Sequence, residues 1–131
     1  MEENEILDEQ QFPITAALQK EIDAKVAELK ASNPKLKVVF PIVVEGEEYD
    51  DKPLYVAYFR QPDFKTFSKY LTAMQKDSAI AMRTLANDCF LAGDKELVED
   101  DSLFLFGTMG QMNRITAMRQ ARLVNLSKPG K

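Results

Sequence analysis

Along this chain the spacing of apolar residues changes period, and each change marks an element. In residues 13–31, Ile14, Leu18, Ile22, Val26 and Leu29 recur at helical spacing, with Lys20, Glu21, Asp23, Lys25, Glu28 and Lys30 on the other sides. Pro13 suits the first turn, because a first-turn residue needs no N–H donor. Asn33-Pro34 stops the helix, since proline disfavours helix in the residue before it. Such a stripe docks either on its own domain or, as an arm, on a partner, and periodicity leaves both open.

The period then falls to two. Residues 36–44 put Leu36, Val38, Phe40, Ile42 and Val44 on one face, and Val39 and Val43 on the other. Both faces therefore need at least partial cover. Pro41 lacks a ladder donor and marks an edge strand or a bulge. A polar loop carrying Glu45, Glu47, Glu48, Asp50 and Asp51 leads to a second strand at residues 54–60, and antiparallel pairing is the simplest join. The loop acids lack the spaced ligands and central Gly of a calcium-binding loop, so solvation accounts for them.

From Gln61-Pro62-Asp63 the period becomes helical again. Asp63 is the expected N-cap of a helix with Phe64, Phe67, Leu71 and Met74 inward and Tyr70 beside them, its hydroxyl in water. A base-stacking platform is the other reading of Phe64, Phe67 and Tyr70, but stacking platforms need a positive groove and only Lys65, Lys69 and Lys76 are near. Asp77 or Ser78 caps the next helix, with Ile80, Met82, Leu85 and Cys89 inward and Gly93 closing it. Asp101 or Ser102 caps the last helix, residues 102–124, and Glu99, Asp100 and Asp101 sit where its dipole favours negative charge.

The pattern is an α+β fold: an N-terminal helix, an antiparallel β-hairpin, then a bundle of about three helices. One domain is expected at residues 13–126, between a flexible acidic tail (residues 1–12) and a flexible basic tail (residues 127–131).

The last helix opens with Leu103, Phe104, Leu105 and Phe106, apolar on every side, so this turn is either fully buried or covered by another chain. Gly107 and Gly110 follow, interleaved with Met109 and Met112. Each glycine costs a helix about 1 kcal/mol relative to Ala, which points to something packed close to this backbone. Methionine suits surfaces that re-pack against partners, though it is also ordinary core filler. Candidate partner-binding residues are therefore Leu103, Phe104, Phe106, Gly107, Met109, Gly110 and Met112, with core packing as the alternative.

Charge and composition narrow the chemistry. Net charge is −4 but unevenly spread: residues 1–19 carry Glu2, Glu3, Glu5, Asp8 and Glu9 and no base, and residues 102–131 carry Arg114, Arg119, Arg122, Lys128 and Lys131 and no acid. Those arginines suit a helix C-terminus, and an acidic chain without a dense positive face is a poor phosphate binder. There is no histidine, and the lone Cys89 reads as a small buried hydrophobe at helical spacing from Leu85. Without a nucleophile–base pair, a phosphate loop or a metal-ligand cluster, no catalytic residue, cofactor or metal is expected. No signal-peptide pattern opens the chain and no apolar run approaches the ~20 residues of a membrane span, so a cytosolic protein without membrane contact is expected.

One order of features goes further. Arg60-Gln61-Pro62 leaves a strand for a helix, Asp77 opens the next, and Asn87-Asp88-Cys89-Phe90, Ala92-Gly93-Asp94, an acidic stretch to Asp101 and an apolar helix follow. In this, residues 36–120 resemble the small tail assembly chaperones of long-tailed phages and prophages. The resemblance implies a binding function in the bacterial host cytoplasm: coating the tape-measure protein, keeping its apolar helices soluble, and helping to recruit tail-tube subunits. It carries over no catalytic or cofactor residue. The helix at residues 13–31 and the acidic N-terminus depart from plainer members. Two other readings stand beside it: a virion structural or connector subunit that homo-oligomerises through its last helix, and a small nucleic-acid adaptor or regulator using Arg114, Arg119 and Arg122.

Overall fold

Alternation along two strands decides the architecture. The computed structural model describes residues 12–117 and 119–125, so the expected acidic segment at residues 1–11 and basic segment at residues 127–131 lie outside it. Helix α1 (Ala16–Ser32) is followed by strands β1 (Val39–Glu45) and β2 (Leu54–Arg60), which pair antiparallel from Val39 with Arg60 to Glu45 with Leu54. Phe40, Ile42, Val44, Tyr55, Ala57 and Phe59 join one core, while Val39, Val43, Val56 and Tyr58 join another. The sheet is thus covered on both faces. Pro41 does lie on an edge strand, since β1 is outermost in the order β1-β2-β3.

Helix α1 covers the second face of its own domain. Ile22 is buried there, with Leu18, Val26 and Leu29 packed around Val39 and Tyr58. The helix opens later than Pro13: the Thr15 hydroxyl accepts the Leu18 N–H at 3.1 Å and caps it. Ile14, ahead of that cap, stays 41% exposed.

The other face carries α2 (Phe64–Met74), α3 (Ser78–Cys89) and a run of short helical pieces. Asp63 and Asp77 cap α2 and α3, accepting the N–H of Thr66 at 2.8 Å and of Ile80 at 3.0 Å. Hydrogen bonds from the Thr66 N–H and hydroxyl hold the Asp63 carboxyl below its ordinary pKa.

Helix α2 is turned differently from its apolar stripe. Tyr70 is buried, and Phe67 packs on it at 5.4 Å between rings, but Phe64 is 89% and Leu71 52% exposed. Tyr70, Phe67 and Ala73 join the core, and polar contacts lie beside them: Lys69 pairs with Asp88 at 2.8 Å, and Arg60 reaches the Thr66 hydroxyl at 3.4 Å and the Asp88 carbonyl at 3.1 Å. In α3, Met82, Leu85 and Cys89 point inward with Ala81 and Ala86, whereas Ile80 is 63% exposed.

Helix α3 ends at Cys89, four residues before Gly93, and Phe90–Gly93 forms a third strand, β3, on the far side of β2. A short apolar run reads equally as helix end or strand, and here pairing decides. The Phe90 ring meets Phe59 edge-on at 5.9 Å. Gly93 has φ 105°, and a Cβ there would come within 2.4 Å of the Val56 carbonyl oxygen. Beyond it the Asp94 carboxylate accepts the Val56 N–H at 2.9 Å and Lys52 Nζ at 2.6 Å, which fixes β3 to β2.

Candidate partner-binding surface

The residues singled out at 103–112 lie in one helical run. It comprises α5 (Asp101–Leu103), a π-turn (Phe104–Thr108) and α6 (Met109–Ile115), and a single turn, α4 (Glu96–Glu99), precedes it across extended Asp100. Asp100, one residue before the expected caps, accepts the Leu103 N–H at 2.9 Å. Asp101 instead pairs with Arg83 at 2.7 Å. Arg83 also donates to the Val98 carbonyl at 2.8 Å and to the Glu99 carbonyl, and lies 5.6 Å from the Phe104 ring centre. One guanidinium thus holds the turn that launches the run.

The π-turn sets which side chains face inward. Four-residue steps in an α-helix overshoot by about 40°, and a wider i→i+5 turn takes up that drift. Phe104, Thr108, Met112 and Ile115 accordingly keep one line and are all buried. The Thr108 hydroxyl, fully buried, donates to the Leu103 carbonyl at 3.4 Å. The run stops at Ile115, well short of residue 124, with Thr116 as its C-cap. Continuing the buried line by four and seven residues would bring Arg119 and Arg122 to the core side, which disfavours further turns.

The seven candidates therefore divide. Leu103, Phe104 and Met112 are buried in the core. Gly107 is the close-approach point, since a Cβ on it would lie 2.8 Å from Val44 Cγ1 of β1. Phe106 is 86% exposed, Gly110 is exposed with open space around it, and Met109 is half-buried. Leu105, 39% exposed, adjoins Phe106 and completes a strip of Leu105, Phe106, Met109 and Gly110 on the outer side. Exposed Phe64, Leu71 and Ile80 on α2 and α3 escaped the periodicity because a stripe shows spacing but not rotation.

Chemistry is sparse across this surface. Among the described residues no cluster of three or more His, Cys, Asp or Glu could hold a metal ion, and no helix is long and apolar enough to cross a membrane. Cys89 is fully buried, and burial pushes its thiol up to about 11. Asn87 accepts from Lys95 at 2.8 Å and Asp88 from Lys69 at 2.8 Å, so the polar members of Asn87-Asp88-Cys89-Phe90 bind within the domain.

No family model matches the chain, and no curated protein matches it. A solved structure of an uncharacterised protein from Bacillus stearothermophilus, rbstp2171, is similar at 22% identity and a TM-score of 0.49, covering 76% of this chain and 98% of that one. Likeness at that level carries no functional reading.

Two measurements check this geometry. Gly107→Ala should destabilise the fold by about 1–3 kcal/mol in chemical denaturation, with partial recovery on adding Val44→Ala, while Gly110→Ala should stabilise it by up to about 1 kcal/mol. Cys89 should resist alkylation at pH 8 until the chain unfolds. Because its folded-state pKa is raised, its contribution to stability is complete below about pH 9 and is lost as pH rises toward about 11, which alkaline unfolding curves of Cys89→Ala against the parent would reveal.

Proposed function

We propose that this chain is a non-enzymatic partner-binding protein, a phage or prophage tail assembly chaperone that engages a tape-measure protein in the host cytoplasm during tail assembly. One observation carries the reading. Phe106 stands 86% exposed on a run whose Phe104, Thr108 and Met112 are fully buried, and Leu105 and Met109 extend an apolar surface around it. An aromatic ring held in water adds nothing to its own core, whereas a clustered apolar patch is what an amphipathic helix of another chain can cover. A tape-measure protein is rich in such helices, which the family resemblance makes the expected partner.

Co-expression with a candidate tape-measure protein tests this. The partner should stay soluble and co-purify, and Phe106→Asp should cut recovery about tenfold or more while leaving stability within about 0.5 kcal/mol of the parent. Phe104→Asp should unfold the chain, because it buries a charge in the core. A tape-measure protein that remains insoluble, with nothing bound, contradicts the proposal. Permanent assembly of this chain with itself, abolished by Phe106→Asp, points instead to a structural subunit.

A further inference from the structure

We infer that Pro41 closes the open edge of the sheet to strand addition, and that the strand it turns away is β1 of a second copy of this chain. The inference is independent of the partner-binding reading. It starts from the phase of the β1–β2 ladder. The Gly46 N–H donates to the Pro53 carbonyl at 2.9 Å, one step beyond the pairing of Glu45 with Leu54. Hydrogen-bonded pairs alternate along an antiparallel ladder, so Phe40, Ile42 and Val44 turn their backbone groups toward β2. Val39, Pro41, Val43 and Glu45 turn theirs to the outer edge. The far side of β2 agrees. Val56, opposite Val43, accepts the Asp94 N–H at 2.8 Å and donates its own N–H to the Asp94 carboxylate at 2.9 Å, so it spends both groups on β3.

Pro41 therefore costs the β1–β2 ladder no bond, and its missing donor falls on the outermost edge of the sheet. The residue is exposed, and a groove of about 360 Å³ opens beside it between β1 and α6. The strand itself is the hazard. Residues 39–44, VFPIVV, hold three valines, an isoleucine, a phenylalanine and no charge, and uncharged β-formers of this kind pair edge to edge unless something interrupts them. Every copy carries the same strand, and identical edges match antiparallel about a two-fold axis. At Pro41 the ring carbon stands where an N–H would point, so an incoming carbonyl meets a methylene and no donor. Glu45, exposed, sets a carboxylate at the end of the same edge. The opposite edge needs less protection: β3 has four residues and a register shift against β2.

The test compares the full chain with Pro41→Val by analytical ultracentrifugation and amide hydrogen exchange. In the parent the Ile42 N–H should be protected and the Val43 N–H should exchange freely. Pro41→Val should unfold cooperatively at or above the parent's midpoint, because position 41 owes no bond to β2. It should form species of at least twice the parent's mass as concentration rises, with exchange at Val43 slowed about tenfold or more. A second proline in the same phase, Pro41→Val with Val43→Pro, should restore the parent's mass, whereas Phe106→Asp should not. A Pro41→Val chain that keeps the parent's mass, associates without new protection at Val43, or loses cooperative unfolding overturns the inference. Slow exchange at Val43 in the parent also overturns it, because the edge is then already covered.

Discussion

The helical run meets the sheet at a residue without a side chain. A Cβ at Gly107 would stand 2.8 Å from Val44 Cγ1, closer than two carbons can sit, so the depth of this contact depends on its absence. The same approach seats Phe104, Thr108 and Met112 in the core, and the π-turn keeps them in line. Whatever is inward on this run leaves its neighbour outward. Phe106 is exposed for the same reason that Phe104 is buried.

A second constraint comes from the sheet's two covered faces. Tyr55, Ala57 and Phe59 serve the larger core and Val56 and Tyr58 the smaller, so the central strand feeds both cores. Most of the exposed large apolar side chains lie in the helical layer instead. There the polar anchors are local and already used: Arg83 on the turn before the run, Asp94 on the end of β3, and Lys69 with Asp88 between α2 and α3. The apolar groups outside those anchors are the ones without an evident folding role.

Much of this was legible in the sequence, and the misses share a cause. The α+β order, the hairpin, the edge position of Pro41 and the caps at Asp63 and Asp77 follow from local patterns and appear in the structure. Rotation does not follow from spacing. Spacing points the Phe64–Leu71 edge inward, but Tyr70 enters the core instead, with Phe67 and Ala73 packed against it, a choice set by residues far along the chain. The strand at Phe90–Gly93 depends on a partner in β2, and the end of α6 depends on which side Arg119 and Arg122 would face. In the candidate set the glycine pair read alike, yet only Gly107 meets a neighbour.

We propose the outer strip around Phe106 as a contact surface for another protein. Placing a photo-cross-linking phenylalanine analogue at position 106 and irradiating cells that co-express a tape-measure protein tests it most directly. The prediction is a covalent adduct between the two chains, absent when the analogue replaces buried Phe104. An adduct equally strong from position 104, or none from position 106 although both proteins are present, would contradict it.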